Sequence, residues 1–476
     1  MIRTRGAALR HSHIFFLRRG LHLVFRSDSL FGCDFQRGHE DGIWTGAVWR
    51  PPAGKRGAFF HRRLVSVGQR GIAVRSLGGG RAGEMRLTRF LRNRKVSVSE
   101  IFAAAGSGTA GRVAGRHIVA IQDTTSLRDD GGKHSIQAHP TIAVDAESGA
   151  LLGLVHGEIL IRNGGLRARR KKRAFEDKES RRWLDGAAAA ARLCAAGALC
   201  VTVLSDREGD IFEAVALKPE GVELVIRAAQ DRALEDGGRL LARLAASPEA
   251  GRLVLDLPAA PGRAARQAVL AVRFCSVAIK RPGNRRRACD LPASVAVNLV
   301  EAREIDPPEG VAPAHWRLLT THQVDSFATA RWIIGLYRRR WLIEELFRTL
   351  KTRGFDIERV AITEGPFETL AAAALVAAVS VLQLVQDRDG RANRPLADVF
   401  EPDQQAALEA VSAELEGNTE KQKNPHPKGT LACAAWVCAR LGGWTGYYGK
   451  PGPVVMLGGL HQFRAMQHGW SIAQNV

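Results

Sequence analysis

Hydrophobic positions settle into regular periods only from Met85 onward. Leu87, Phe90 and Leu91 share the spacing of one helix face. Ser97 stands three residues before Glu100, the capping-box arrangement in which each side chain satisfies the other's free backbone N–H at a helix start. The apolar run from His117 to Gln122 predicts a strand that ends at Asp123. Two more strand-like runs, 141–144 and 151–161, flank the turn residues Glu147, Ser148 and Gly149. Trp183, Leu184 and an Ala run predict a helix over 180–195, and the fully apolar run 200–204 predicts a strand ending at Ser205 and Asp206. The order is strand, strand, strand, helix, strand, with acids at the C-terminal ends of the first and last. Neighbouring strand ends of that kind bring two carboxylates together.

That order matches a ribonuclease-H-like mixed-sheet core, α/β in class. Strand-like runs at 222–226, 252–257, 268–274 and 294–300, separated by turns containing Gly and Pro, predict an all-β insertion. Helical periodicity returns from Ser326 through about Lys351 and again over 367–386. The polar stretch 391–427 reads as partly loop, and a helix is expected near Leu431–Leu441. The expected division is therefore a first core part at 117–210, a β-rich insertion at 211–320, a second core part at 321–390 and a helical C-terminal region at 391–476. No internal repeat is visible.

Composition narrows the partners. A chain of 476 residues is too long for one simple core. Its net charge of +21 and pI near 10.4 favour a polyanion, either nucleic acid or an anionic membrane surface. The most apolar run, 369–386, carries Ser380 and Gln383 and reads as a buried helix rather than a span. The run 14–17 is too short for a signal peptide. Seven scattered cysteines without a CxxC pair read as free thiols of a reducing cytoplasm. Residues 1–84 stand apart: fourteen Arg, one Lys and five acids give +10 of the chain's charge, with no sustained period. They read as a flexible basic arm or as an out-of-frame or mis-started segment, with the second favoured.

The chemistry concentrates in Tyr337-Arg-Arg-Arg-Trp-Leu-Ile-Glu-Glu-Leu-Phe-Arg-Thr-Leu-Lys351. On a continuous helix Tyr337, Arg340, Glu344 and Lys351 fall within roughly 60° of one another, along a stripe of about 21 Å. One acid among cations, with an aromatic at one end, is the mixture a metal site facing a phosphate backbone requires. Leu342, Ile343, Leu346 and Leu350 lie opposite and are expected to pack on the sheet. The bland alternative is a solvated face laced by pairs such as Arg340 with Glu344. Asp123, in Gln122-Asp-Thr-Thr-Ser126, and Asp206, in Ser205-Asp-Arg-Glu-Gly-Asp210, each follow an apolar strand. With Glu344 they form a three-carboxylate set whose oxygen donors suit Mg2+ or Mn2+. Two such ions about 3.5–4 Å apart support phosphodiester hydrolysis and transesterification. The clusters 167–173, Lys280 with Arg281, and 285–287 are further candidates for salt-sensitive contacts with DNA.

These residues resemble bacterial cut-and-paste DDE transposases of the insertion-sequence-four family. The family signature of Tyr, two residues, Arg, three residues, Glu, six residues and Lys is met by Tyr337, Arg340, Glu344 and Lys351. Asp123 with Thr124, Thr125 and Ser126, Asp206 with Arg207 and Glu208, and Lys178, Glu179 and Ser180 ahead of Trp183 match further motifs. Trp316, in Trp316-Arg-Leu-Leu-Thr320, matches a Trp that the family stacks on a flipped base. Arg227 resembles a DNA-contacting arginine. The resemblance implies catalytic and metal-binding roles for Asp123, Asp206 and Glu344, with two Mg2+ or Mn2+ ions per site. It implies DNA contacts through Tyr337, Arg340, Lys351, Trp316, Arg207, Arg227 and Arg348. It also implies double-stranded DNA partners (element ends and target), a homodimer in the synaptic complex, a C-terminal region used for dimer contacts, and a bacterial, nucleoid-associated setting in the cytoplasm. No membrane or small-molecule substrate is expected. The resemblance runs from about Met85, so 85–116 reads as the remnant of a helical DNA-binding domain. A decayed copy that binds DNA without transposing, or a nuclease without strand transfer, are the rival readings.

Overall fold

Strand register, set by contacts far apart in the chain, organises the molecule. The computed structural model describes residues 72, 77, 80–129, 134–163, 179–257, 264–283, 291–360, 364–447 and 449–474. The expectations for most of 1–84, for the basic clusters 167–173 and 285–287, and for Lys178 lie outside the described residues.

Among the described residues two helices come first, α1 (Arg81–Leu91) and α2 (Val98–Ala110), the latter opened by the Ser97–Glu100 capping box. Four strands follow, β1 (His117–Gln122), β2 (Thr125–Asp129), β3 (His134–Asp145) and β4 (Leu151–Asn163). Next are α3 (Arg182–Ala195), β5 (Cys200–Ser205), α4 (Phe212–Ala216), β6 (Val222–Arg227) and α5 (Leu240–Ala245). A run of antiparallel strands comprises β7 (Gly251–Leu257), β8 (Arg266–Lys280), β9 (Ser294–Glu304) and β10 (His315–Thr320). The chain closes with helices α6 (Phe327–Arg338), α7 (Trp341–Lys351), α8 (Glu364–Asp387), α9 (Gln405–Leu415), α10 (Leu431–Leu441) and α11 (Pro453–Gln474).

All ten strands among the described residues join one sheet. β1 pairs antiparallel with β3 and parallel with β5, and β5 pairs parallel with β6. β4 pairs antiparallel with β3 along nearly its whole length. β2 continues the line of β1, pairing with residues 135–138 of β3 where β1 pairs with residues 141–145. Beyond β6 the sheet runs on through β10, β9 and β8 to β7.

The period of two places alternate residues on opposite faces. Val119, Ile121, Leu204 and Val225 join the larger hydrophobic cluster with α1, α2, α6, α7, α8, α10 and α11. Ile118, Ala120, Val201, Val203 and Leu224 join the smaller one with α3, α4 and α5. The central helix α8 is buried over almost its full apolar length, which accounts for a helix long enough to span a bilayer being 89% covered by the protein itself. Ala-rich sequence there lets neighbouring elements approach closely.

Several expectations change. Residues 211–320 are not wholly strand, since α4 and α5 interrupt them, and β6 lies parallel to β5 inside the main sheet. Phe212 is buried in α4, and Leu240 and Leu244 are buried at helical spacing in α5, in runs too short for periodicity to announce. Strand β2 and helix α11 carry no strong sequence signal. Ile72 and Leu77, within the segment expected to be unlike the rest, are buried in the larger core, and the Ile72 N–H donates to the Phe355 carbonyl at 3.1 Å. The helical periodicity from Ser326 through about Lys351 is divided between two helices, α6 and α7. Around Arg339 and Arg340 the amides bond three residues back, to Leu336 and Tyr337, which tightens the turn without Pro or Gly.

Helices α10 and α11 cross at glycine. A Cβ at Gly459 would stand 1.6 Å from the Cys438 carbonyl oxygen, which no side-chain rotation relieves. Gly459→Ala therefore should cost about 1–3 kcal/mol or more, as overpacking does. Urea denaturation reads this directly, and an unchanged midpoint would remove the close crossing as a constraint on the C-terminal helices.

Candidate active site

Asp123 sits in the two-residue gap between β1 and β2. Its own N–H donates to the Pro140 carbonyl at 3.4 Å, and the Thr124 N–H donates to Asp123 Oδ1 at 2.8 Å. A buried polar chain braces the gap from below. The His139 imidazole is held neutral by burial, with the Arg182 charge nearby acting in the same direction. One proton assignment then satisfies every member. His139 Nε2–H donates to Gln122 Oε1 at 3.3 Å, and the Thr124 hydroxyl donates to His139 Nδ1 at 2.9 Å. Thr124 Oγ1 in turn accepts from Arg182 Nε at 3.0 Å. Gln122 Nε2 donates to Ser205 Oγ at 3.1 Å, tying the end of β1 to the residue before Asp206.

Register places Asp206 beside Asp123. Ile121 faces Leu204 across the parallel pair, and two residues further on each strand come the two acids. The Tyr337 hydroxyl donates to Asp206 Oδ1 at 3.3 Å, and Arg227 Nη1 lies 4.0 Å from the same oxygen. Asp210 fixes the loop that follows. Its Oδ2 accepts from the Ala229 and Gln230 amides at 2.7 and 3.1 Å, and its Oδ1 accepts from Arg232 Nε at 2.9 Å. The turn after β5 is thereby anchored to the turn after β6, where Arg227 emerges.

Glu344 comes from the first turn of α7. The tightened turn before it aims two successive arginines in different directions. Arg339 donates to the Ala146 carbonyl at 2.6 Å. Arg340 turns to the acids, donating through Nη1 to Asp123 Oδ2 at 2.8 Å and through Nη2 to Glu344 Oε1 at 2.5 Å. Behind α7, Ile343, Leu346 and Leu350 are fully buried as their spacing predicts, while Leu342 is only partly covered.

Electrostatics follow from this crowding. Burial raises the Asp123 pKa to about 6, opposed by the Thr124 amide and the Arg340 charge and assisted by Asp206 and Glu344. The Tyr337 phenol is pushed well above its usual value, by burial first and by Asp206 second, so it stays a hydrogen-bond donor. The three acids present oxygen donors alone, a set suited to a hard dication. Among the described residues no three His, Cys, Asp or Glu side chains already surround a common point; the Arg340 guanidinium stands between Asp123 and Glu344.

The remaining candidates are spread around this centre. Tyr337 and Arg340 are buried, 4% and 8% exposed, and so do not form an open stripe; they hold the acids. Trp316 is half-buried with its ring centroid 6.4 Å from that of Tyr337. Arg207 is exposed and Arg227 half-buried. Arg348 bonds Glu345 at 2.5 Å and lies over the Trp341 ring at 5.0 Å. Lys351 pairs with Glu358 at 2.9 Å. Sequence spacing gives no sign of Arg182, His139 or the bracing role of Asp210, because each acts through partners distant in the chain.

A family model described as "Transposase DDE domain" matches residues 116–381. The crystal structure of the NurA nuclease from Sulfolobus solfataricus is similar at 9% identity over 47% of this chain and 72% of that one, with a TM-score of 0.23 too low to carry an argument. The matched span takes in more than half of the 476 residues, and with them Asp123, Asp206, Glu344 and the side chains that hold them. The chain belongs to the transposase DDE-domain family.

Proposed function

We propose that this protein is a DNA transposase in which Asp123, Asp206 and Glu344 hold divalent Mg2+ or Mn2+ for cleavage and strand transfer at the ends of a transposable element. The observation that carries this reading is the pair of bonds from one buried guanidinium, Arg340, to Asp123 and Glu344, acids 221 positions apart in the numbering. Asp206 lies close enough for its charge to act on both Asp123 and Arg340. A protein seldom gathers three partly buried acids unless a cation is to share them.

Strand order supports a ribonuclease-H-like core: β4, β3, β1, β5 and β6 lie side by side, the first three antiparallel and the last three parallel. On this reading β7 to β10 are the inserted part, extending the same sheet. The Tyr-Arg-Glu-Lys spacing supports membership of the insertion-sequence-four group.

When bound, paired divalent ions supply an activated nucleophilic oxygen and stabilise the leaving one. The chain's own residues do the rest. Asp123 must be ionised to serve as a ligand, and the Thr124 amide holds one of its oxygens in place. The Tyr337 hydroxyl and Arg227 orient Asp206. Arg207, Arg227, Arg348 and Lys351 supply positive charge for the DNA backbone, and Trp316 offers a ring on which a displaced base can stack. The +21 net charge favours a DNA partner in a nucleoid setting. A homodimer would bring two such sites to paired ends.

Alanine at Asp123, Asp206 or Glu344 should each reduce Mg2+-dependent cleavage by more than the ~10–100-fold that loss of an outer partner costs. A suitable substrate is a duplex from the DNA flanking the coding sequence, with circular dichroism to verify folding. Cleavage that survives Asp123→Ala sinks the assignment.

The pH dependence has a defined sign. Folding raises the Asp123 pKa from 3.8 to about 6, so this group's stability contribution is full below 3.8 and is lost as pH rises through 6. Activity runs the other way, because it needs the ionised form. At Mg2+ well below saturation, where proton and ion compete for Asp123, single-turnover cleavage should fall about tenfold per unit below pH 6 and level off above it. A profile flat from pH 5 to 8 would contradict an essential, buried Asp123.

A further inference from the structure

We propose that Arg340 is a built-in cation that keeps the acid cluster closed in the DNA-free protein, and that DNA phosphate draws it away, so that divalent ion and DNA each favour binding of the other. This rests on the reading of Asp123, Asp206 and Glu344 as ion ligands.

The geometry of the Asp123 carboxylate is the starting point. Oδ1 is committed to the Thr124 backbone amide at 2.8 Å. Oδ2, the oxygen left for an ion, is the one Arg340 Nη1 holds at 2.8 Å. The other arm of the same guanidinium holds Glu344 Oε1 at 2.5 Å. An ion lying between these two carboxylates would stand where the Arg340 guanidinium now stands. It would also bring two positive charges against a third in a site with little water, since Arg340 is 8% exposed. The guanidinium and the dication compete for one place.

A displaced guanidinium needs a partner, because a buried unpaired charge is costly. Its planar fork matches a phosphodiester as well as a carboxylate. DNA entering beside the acids, which are 19% to 31% exposed at their side chains, offers that partner. Arg340 would then move from the acids to the backbone and leave the carboxylates to the ion. Reciprocity is required by thermodynamics: if duplex strengthens ion binding by some factor, the ion strengthens duplex binding by the same factor. The site would fill with metal only where there is DNA to cut.

The competing account makes Arg340 a permanent brace whose removal scatters the acids. The two accounts differ in sign. Binding of Mn2+ to the full-length protein at pH 8 can be followed by the electron paramagnetic resonance of free Mn2+, with and without a short duplex, after subtracting the duplex's own uptake. Circular dichroism melts would verify that each variant is folded. The wild-type protein should bind Mn2+ on the order of tenfold more tightly with duplex than without. Arg340→Gln should bind it tightly without duplex and gain little from adding it. Arg340→Lys, which keeps the charge, should stay weak without duplex.

Wild-type affinity indifferent to duplex, or weaker binding by a folded Arg340→Gln, would overturn the proposal. Asp123→Asn and Glu344→Gln separate this from the reading beneath it. If they bind Mn2+ as the wild type does, the acids are not the ligands and the earlier reading fails. If they lose binding while Arg340→Gln shows no gain, only the closed-site proposal fails.

Discussion

A carboxylate placed at the end of an apolar strand needs a positive partner, and the surroundings of Asp123 are arranged around that requirement. Its side chain loses most of its water, and that burial, opposed by the Thr124 amide and by Arg340, leaves its pKa at about 6. Arg340 offsets part of that cost, reaching Asp123 and Glu344 from the tightened turn between α6 and α7. The turn at Arg339 and Arg340 is therefore part of the electrostatics as well as of the backbone. It ends α6 with Tyr337 directed to Asp206 and begins α7 with Glu344 directed to Arg340.

Rigid packing makes this arrangement possible. The parallel pairing of β1 with β5 fixes the spacing of the two strand-end acids. The Gln122 side chain locks those ends together, and Asp210 with Arg232 secures the loop beyond. On the far side, α7 is seated by Ile343, Leu346 and Leu350 on a core that α8 fills almost completely. Each buried aliphatic side chain of that kind contributes about 1.5–3 kcal/mol, far more than the exposed ion pairs around it. Apolar packing thus positions the charges, and the charges define the site.

Much of this was legible in the sequence because it is local. Apolar runs followed by acids mark β1 with Asp123 and β5 with Asp206. The Ser97–Glu100 box marks the start of α2. The spacing from Tyr337 to Lys351 marks the helical segment that carries Glu344, and the structure brings Glu344 and Asp123 to one guanidinium. What was not legible depends on partners distant in sequence. Nothing near Tyr337 announces that it is buried and donates to Asp206. The break at Arg340 has no proline or glycine to signal it, since carbonyls at Ala146 and Glu147 and the acids themselves draw the arginines out. β6 reads like the antiparallel strands after it, and only its pairing with β5 puts it among the parallel strands.

We propose that Asp123, Asp206 and Glu344 share divalent ions. Anomalous diffraction from crystals of the protein soaked in Mn2+ with bound DNA tests it most directly. The account predicts manganese peaks within coordination distance, about 2.0–2.3 Å, of oxygens from Asp123, Asp206 and Glu344. Manganese bound elsewhere, with any of these three carboxylates left out of its ligand sphere, would contradict it.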